Sequence, residues 1–276
     1  MSECTHNCNT CGSKCSAPQQ VNPHELSRIK RVIAVVSGKG GVGKSSVTAM
    51  LAGAMNKKGY STAVLDADIT GASIPKMYGV KSGIQSDGTG LYPAQTSAGI
   101  RVISSNLLLE NESDPIVWRG PVIAGMVKQF WTDVIWGDVD YMFIDCPPGT
   151  GDVPLTVFQS IKVDGIVVVT TPQSLVAMIV EKAVNMANMM KIPVLGIVQN
   201  MSYVVCPDCN KRINVFGSVS AVGEVAQKFG LPLLAEIPYD ARLAAAADGG
   251  KMDVEQFDYI LSAADILESG LPIIGH

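Results

Sequence analysis

The sequence predicts an α/β fold, a mostly parallel sheet covered by helices on both faces. Two observations carry that expectation. Apolar, β-branched runs alternate with segments of helical character along most of the 276 residues. The first such run, Val32-Ile33-Ala34-Val35-Val36, leads into the glycine-rich stretch Gly38-Lys39-Gly40-Gly41-Val42-Gly43-Lys44-Ser45, and a helix-forming run from Thr48 to Lys58 follows.

Taken in order, strands are expected at 32–37, 62–66, 100–104, 141–145, 165–170, 193–198 and 233–237. Helices are expected near 44–58, 121–135, 153–162, 174–190, 219–229 and 253–269. Strands separated by helices need crossover connections, and those make neighbours parallel. Residues 79–99 are rich in Gly and Ser and read as an irregular excursion or hairpin. Met178, Met186, Met189 and Met190 share one helical segment and read as core or interface packing. Residues 1–20 are polar and cysteine-rich, with too little apolar side chain to fold alone, and 21–30 read as a linker. Residues 31–276 then form one large domain.

Bulk properties narrow the function classes. A net charge of −4 and a pI near 5.4 argue against a broad nucleic-acid surface. Arg28-Ile29-Lys30-Arg31 reads as a solvated entry to the first strand, not a binding patch. The first residues lack an apolar core of the signal-peptide kind, and no segment approaches the roughly 20 apolar residues of a membrane helix. A cytoplasmic protein with no membrane partner is expected. In a reducing compartment its 7 cysteines point to metal ligation, not disulfides.

Gly38 to Ser45 fits GxxxxGK[ST], a phosphate-binding loop. Its glycines let the backbone curl so that N–H groups face phosphate oxygens. Lys44 would reach the β- and γ-phosphates and Ser45 would hold Mg²⁺. Ser46 follows on the first helical turn, whose N-terminal end favours anions. The bland alternative is a glycine-rich turn without a ligand. It leaves Lys44 without a role.

Phosphoryl transfer also needs carboxylates for Mg²⁺ and a residue that orients water. Two strand ends supply them: Leu65-Asp66-Ala67-Asp68 and Ile144-Asp145-Cys146-Pro147-Pro148-Gly149-Thr150-Gly151-Asp152. Asp145, after an apolar strand, fits a Walker B residue that holds Mg²⁺ through water. Pro147-Pro148-Gly149 joins a stiff turn to a flexible glycine, suited to sensing a γ-phosphate. Asp66 is expected to hydrogen-bond the loop backbone. Asp152 is either functional or a cap for the following helix. Cys146 reads as a packed thiol.

The lysine at position 39 makes the loop resemble the deviant Walker A family: MinD and ParA proteins, nitrogenase iron protein, arsenical-pump ATPases and the Mrp/ApbC iron–sulfur carriers. Asp66 to Pro75, Trp118-Arg119-Gly120-Pro121, Asp145 to Asp152, Thr171-Pro172-Gln173 and Gln199-Asn200-Met201-Ser202 look like the Mrp/ApbC branch in particular. The resemblance spans about residues 31 to 250. It implies a P-loop NTPase fold and ATP as nucleotide. It implies a homodimer in which Lys39 reaches the partner's nucleotide. Asp68 is implied as the switch I aspartate that positions water, and Asn200 and Pro238 lie by the adenine.

Cys206-Pro207-Asp208-Cys209 offers two thiolates, whereas a tetrahedral Zn²⁺ site or a [4Fe–4S] cluster takes four ligands. A twofold dimer would supply the other pair. The resemblance implies a labile bridging [4Fe–4S] cluster; bridging zinc and a redox pair are the alternatives. Cys4, Cys8, Cys11 and Cys15 form C-x₃-C-x₂-C-x₃-C, dense enough for one chain to wrap a cluster. A zinc knuckle is its rival, and its spacing differs from that of the resembled scaffolds. The expected function is an ATP-dependent carrier or scaffold that passes clusters to apo iron–sulfur proteins, with slow hydrolysis as a switch. A MinD- or ParA-like positioning ATPase and an electron donor like nitrogenase iron protein are the other classes. The first would want a basic amphipathic or DNA-binding surface, and Glu268 to His276 has neither.

Overall fold

The computed structural model describes residues 20–69, 71–81, 84–109, 120–173, 177–216 and 221–270. The strands are β1 (Arg28–Ser37), β2 (Thr62–Asp66), β3 (Gln85–Ser86), β4 (Leu91–Tyr92), β5 (Ala94–Gln95), β6 (Arg101–Ile103), β7 (Asp138–Asp145), β8 (Gly165–Thr170), β9 (Val194–Gln199), β10 (Val204–Val205), β11 (Arg212–Ile213) and β12 (Leu233–Glu236). The helices are α1 (Lys44–Lys57), α2 (Ile74–Met77), α3 (Gly120–Thr132), α4 (Asp152–Ser160), α5 (Ala177–Met189), α6 (Ala221–Phe229), α7 (Ala241–Asp248) and α8 (Leu261–Ser269).

The main sheet has eight strands in the order β12-β9-β8-β1-β7-β2-β6-β5. Every neighbouring pair is parallel except β5 with β6, an antiparallel edge. Alternate side chains of β1 divide the core. Val32, Ala34 and Val36 join residues of α3, α4, α5 and α6 on one face. Ile33 and Val35 join residues of α1, α2, α7 and α8 on the other. A strand buried on both faces must be apolar at every position, which is why these runs read as continuous.

The predicted strands are all present, with shifts at their ends. β1 begins at Arg28, inside the segment read as a linker. Register explains the difference: Arg28 pairs with Asp138 of β7, and Lys30 Nζ sits 2.6 Å from Asp140 Oδ1. Upstream, Val21 N donates to Ser160 O, and Trp131 Nε1 donates to Val21 O. Residues 79–99 hold the β3–β4 hairpin. The helix expected from 253 begins only at Leu261. The buried carboxylate of Asp253 accepts from Ser97 Oγ at 2.7 Å and from Ala98 N, and these bonds hold its segment as a loop. The short helices α2 and α7 were not foreseen. Pro75 opens α2, and Asp240 caps α7 by accepting from Arg242 N. Of the methionines, Met186 and Met190 pack on the core, whereas Met189 is 83% exposed.

The carboxyl ends of β1, β2, β7, β8 and β9 share one edge, and that is where the loops of interest emerge. β1 lies between β7 and β8, so the chain departs in opposite directions on its two sides. Such a switch point opens a crevice for a ligand.

Candidate functional site

The loop after β1 has the conformation its glycines allow. Gly41 and Gly43 have φ of +76° and +77°. Gly43 is the residue ahead of α1, and no side chain caps that helix end, so its first N–H groups face the crevice. A Cβ on Gly43 would fall 2.2 Å from Asn200 Nδ2, so glycine is also required by space. The cavity here measures about 200 Å³ and is lined by residues 39–46 with Ser37, Asp68, Ser73, Met77 and Pro148. Gly149 N donates to Ser37 O, which seats the Pro147-Pro148-Gly149 turn against the loop.

Lys44 is buried, and its Nζ donates to Asp145 Oδ1 at 2.6 Å. Ser45 Oγ donates to Asp145 Oδ2 at 2.5 Å, and Thr48 Oγ1 donates to Oδ1 at 2.8 Å. Asp68 Oδ2 stands 3.9 Å from Lys44 Nζ. Burial by itself would lower the Lys44 pKa; the Asp145 charge and hydrogen bond, with Asp68 and Asp66 behind them, hold it above its usual value. Asp68 is raised, first by burial and then by Asp145, against the pull of Lys44. The cluster is thus three carboxylates around one ammonium, and a second cation would relieve it. Ser45 Oγ and the Asp145 carboxylate are hard oxygen donors on adjoining elements, a donor set that suits Mg²⁺.

Asp66 differs from its expected role. It does not bond the loop backbone. Ser104 Oγ donates to its Oδ2 at 3.0 Å, and Asp68 N donates to its Oδ1 at 3.2 Å. Asp66 pairs with Asp145 across β2 and β7 and is fully buried. Burial first, then the Asp145 charge, pushes its pKa to about 8. Of the two readings of Asp152, the helix cap is not realised. Asp152 lies in the first turn of α4 and its side chain makes no cap, because Gly151 occupies the capping position. Cys146 is buried, and burial pushes its thiol to about 12, as a packed thiol requires.

Lys39 Nζ donates to Gln173 Oε1 at 2.6 Å within the same chain. Gln173 enters the sequence reading only as part of a motif, and Thr48 and Ser104 do not enter it at all. Thr48 was detectable, because it lies one helical turn beyond Lys44 on the side of α1 that meets β7. Ser104 had no signal in the sequence.

Asn200 leaves the end of β9 and donates from Nδ2 to Val42 O at 2.9 Å. A pocket of about 160 Å³ lies beyond it, lined by Asn200, Met201, Pro238, Tyr239, Leu243 and Ala247 among others. Gly43 and Ser46 line both this pocket and the phosphate cavity. The two form one crevice, with a polar half along the glycine-rich loop and a more apolar half beside Met201, Pro238 and Leu243.

Four residues past Asn200 the chain enters the β10–β11 hairpin, whose turn carries the cysteine pair. Cys206 N donates to Lys211 O and Asn210 N donates to Cys206 O. Cys206 is half-buried and Cys209 exposed, and both are free thiols. Hydrogen bonds from the backbone of Cys209 and Asp208, then from the Cys209 side chain, lower the Cys206 pKa. That favours the thiolate, the form that binds metal. Among the described residues no cluster of three or more His, Cys, Asp or Glu could hold a metal ion. Cys4, Cys8, Cys11 and Cys15, with Trp118 and Arg119, lie outside the described residues.

Comparison with known proteins agrees with this geometry. The family described as ParA, NUBPL iron-transfer P-loop NTPase, matches residues 28–267. An iron–sulfur cluster carrier protein of Methanocaldococcus jannaschii is 44% identical over 261 residues, which cover 91% of this chain and 90% of the relative. A cytosolic Fe–S cluster assembly factor, a NUBP2 homologue of Nematostella vectensis, is 41% identical over 255 residues, covering 90% and 93%. The structure of a nucleotide-binding protein of Archaeoglobus fulgidus in complex with ADP superposes with a TM-score of 0.75 at 44% identity, covering 84% of this chain and 90% of that one.

Proposed function

This chain belongs to the ParA family of NUBPL-type iron-transfer P-loop NTPases, and we propose that it is an ATP-dependent carrier and scaffold that binds iron–sulfur clusters and passes them to apoproteins. One observation carries the reading. The thiol pair Cys206/Cys209 sits on a hairpin that leaves the nucleotide crevice only a few residues beyond Asn200, whose carboxamide holds the phosphate loop. Nucleotide site and metal-binding thiols are therefore built on one continuous piece of chain.

In this reading the β- and γ-phosphates lie in the loop of Gly38, Gly40, Gly41, Val42 and Gly43, on the N–H groups at the head of α1. Lys44 exchanges its bond to Asp145 for the phosphates and offsets charge that develops in the transition state. Ser45 and Asp145 would hold Mg²⁺, which neutralises phosphate charge when bound. Asp68 orients the attacking water. Lys39 leaves Gln173 and reaches the partner's nucleotide in a homodimer. Adenine occupies the apolar half, beside Asn200 and Pro238. Hydrolysis is slow and acts as a switch on the dimer.

The cargo is a [4Fe–4S] cluster shared by two copies of Cys206 and Cys209, because one hairpin supplies half of the four ligands such a cluster takes. The backbone bonds that favour the Cys206 thiolate support it. A second metal site on Cys4, Cys8, Cys11 and Cys15 is part of the proposal, as is a cytoplasmic location. Among the described residues no helix is long and apolar enough to cross a membrane.

The test is anaerobic reconstitution with iron and sulfide, followed by metal analysis, an absorbance spectrum and incubation with an apo-ferredoxin. Cluster spectrum appearing in the acceptor supports the carrier. A protein that takes up only zinc, or holds a cluster that never reaches an acceptor, sinks it.

A further inference from the structure

Arg212 anchors the cysteine hairpin to the wall of the base pocket. Arg212 lies opposite Val205 in the β10–β11 pair, next to Cys206. Its guanidinium covers the Tyr203 ring, with Cζ 3.9 Å from the centroid. Its Nη2 donates to Glu236 Oε1 at 2.9 Å. Glu236 ends β12, two residues ahead of Pro238 in the pocket wall.

Both anchor points belong to one strip of backbone. Ile237 N donates to Gln199 O, Ser202 N to Ile237 O, and Tyr239 N to Tyr203 O, at 2.8 to 2.9 Å. Residues 199–203 and 236–239 are thus zipped together, with the base pocket along the strip and the hairpin at its end. Met201, which lines the pocket, has φ of +53°, a conformation a non-glycine residue holds only when its surroundings impose it. The backbone bonds of Cys206 with Lys211 and Asn210 stay within the hairpin. Arg212 adds the side-chain contacts that bind the hairpin back to the strip. Each contact is part-exposed and individually weak, which suits a joint that is reseated in use.

We propose that Arg212 is a positioning residue that couples the base pocket to the two thiols. Seated between Tyr203 and Glu236, it makes the hairpin follow the strip, so a nucleotide that shifts Met201, Pro238 or Tyr239 also reorients Cys206 and Cys209. The inference rests on the nucleotide reading of the crevice and on the working role of the thiol pair. It needs the planar fork of arginine, which stacks on the ring and donates to the carboxylate together; lysine keeps the charge and loses that geometry.

The experiment uses the full chain, metal-free and reduced. Alkylation rates at Cys206 and Cys209 are read site by site by mass spectrometry, with and without saturating Mg-ADP or Mg-ATP. Buried Cys146 reports on the fold, and ADP affinity is measured by calorimetry. Nucleotide should change the rates at the pair about fivefold or more, the low end of ordinary coupling between sites. Arg212→Ala should bind ADP within about twofold of the unaltered chain and show less than about a twofold nucleotide effect. Arg212→Lys should fall between. Glu236→Ala removes the anchor from the sheet side, leaves the hairpin sequence intact, and should weaken the nucleotide effect in the same direction. Full nucleotide response in Arg212→Ala overturns the coupling. So does an unaltered chain that binds ADP with unchanged rates at the pair. Failure of the unaltered chain to bind ADP overturns the nucleotide reading instead, so the two failures are told apart.

Discussion

Lys44 Nζ donates to Asp145 Oδ1 at 2.6 Å, with both side chains buried between the head of α1 and the end of β7. The ammonium is the counter-charge of the carboxylate cluster and, in the proposed reading, also the group that meets the phosphates. Lys44→Ala should therefore have two effects. Hydrolysis should fall at least about 100-fold, as when a transition-state contact is lost. The nucleotide-free protein should also lose about 3 kcal/mol of stability, the usual result of stranding a buried charge. ATPase assays and urea unfolding read the two separately, and undiminished hydrolysis would refute the assignment.

Asp66 gives a prediction with a pH signature. Its folded-state pKa is pushed from 3.8 to about 8, so the folded state binds more protons than the unfolded chain between those values. Stability contributed through this group is highest below about pH 3.8 and declines as pH rises through about 8. Asp66→Asn keeps a group that can bond Ser104 Oγ and Asp68 N while removing the titrating proton. It should raise the stability of the nucleotide-free protein at pH 7, because the folded state no longer has to hold a proton that the unfolded chain gives up. It should also flatten the pH dependence between 5 and 8. Thermal melts across pH check this, and an unchanged slope would count against it.

Gly43 meets two demands at once, a left-handed backbone and close approach by Asn200. Gly43→Ala should abolish nucleotide binding by calorimetry, because the Cβ collides with the amide that braces Val42. Gly43→Ala with Asn200→Ala removes the collision but keeps the φ cost, about 1–2 kcal/mol. The double variant should be more stable than the Gly43→Ala single. If it is not, the collision is not the cause.

The sequence revealed this architecture where burial imposes a pattern. Strands β1, β2, β7, β8 and β9 are enclosed on both faces, and their unbroken apolar runs locate them closely. The phosphate loop was legible for a different reason, since few other residues satisfy its backbone. What could not be read was set by long-range contacts. The bonds of Asp253 to Ser97 and Ala98 end a helical pattern that looked eight residues longer. Ser104 reaches Asp66 from another strand end, and Arg212 meets Glu236 across 24 residues. Asp66 reads from the sequence as a partner of the loop backbone. The alternation along and beyond β2 places it instead against Ser104.

Lys39 is held in its own chain by Gln173. If it serves the partner's nucleotide, that bond must break on dimer formation. Lys39→Ala should bind ADP normally and hydrolyse ATP at under about one-tenth of the usual rate, as for loss of a charged transition-state contact. Mixing Lys39→Ala with Lys44→Ala supplies one intact loop and one intact Lys39 in the same mixed dimer. Activity in the mixture should exceed that of either variant alone. No recovery, with mixed dimers shown to form, would eliminate the trans role.

Cys206 and Cys209 provide the last prediction, which concerns association. One hairpin offers two thiolates, and Val205, Ile213, Val215 and Phe216, on the hairpin and just after it, are exposed apolar side chains. If two hairpins share a cluster, metal binding energy is also dimer energy, and the two must fall together. In a chain whose Cys4, Cys8, Cys11 and Cys15 are changed to Ser, reconstitution should give about four irons per dimer. Adding Cys206→Ala should remove that iron and the cluster-dependent share of the dimer in sedimentation. Iron chelation of the unsubstituted hairpin should reproduce the same shift in mass. A strict monomer that retains iron on Cys206 and Cys209 would overturn the shared site, since its remaining ligands would have to come from elsewhere in the same chain.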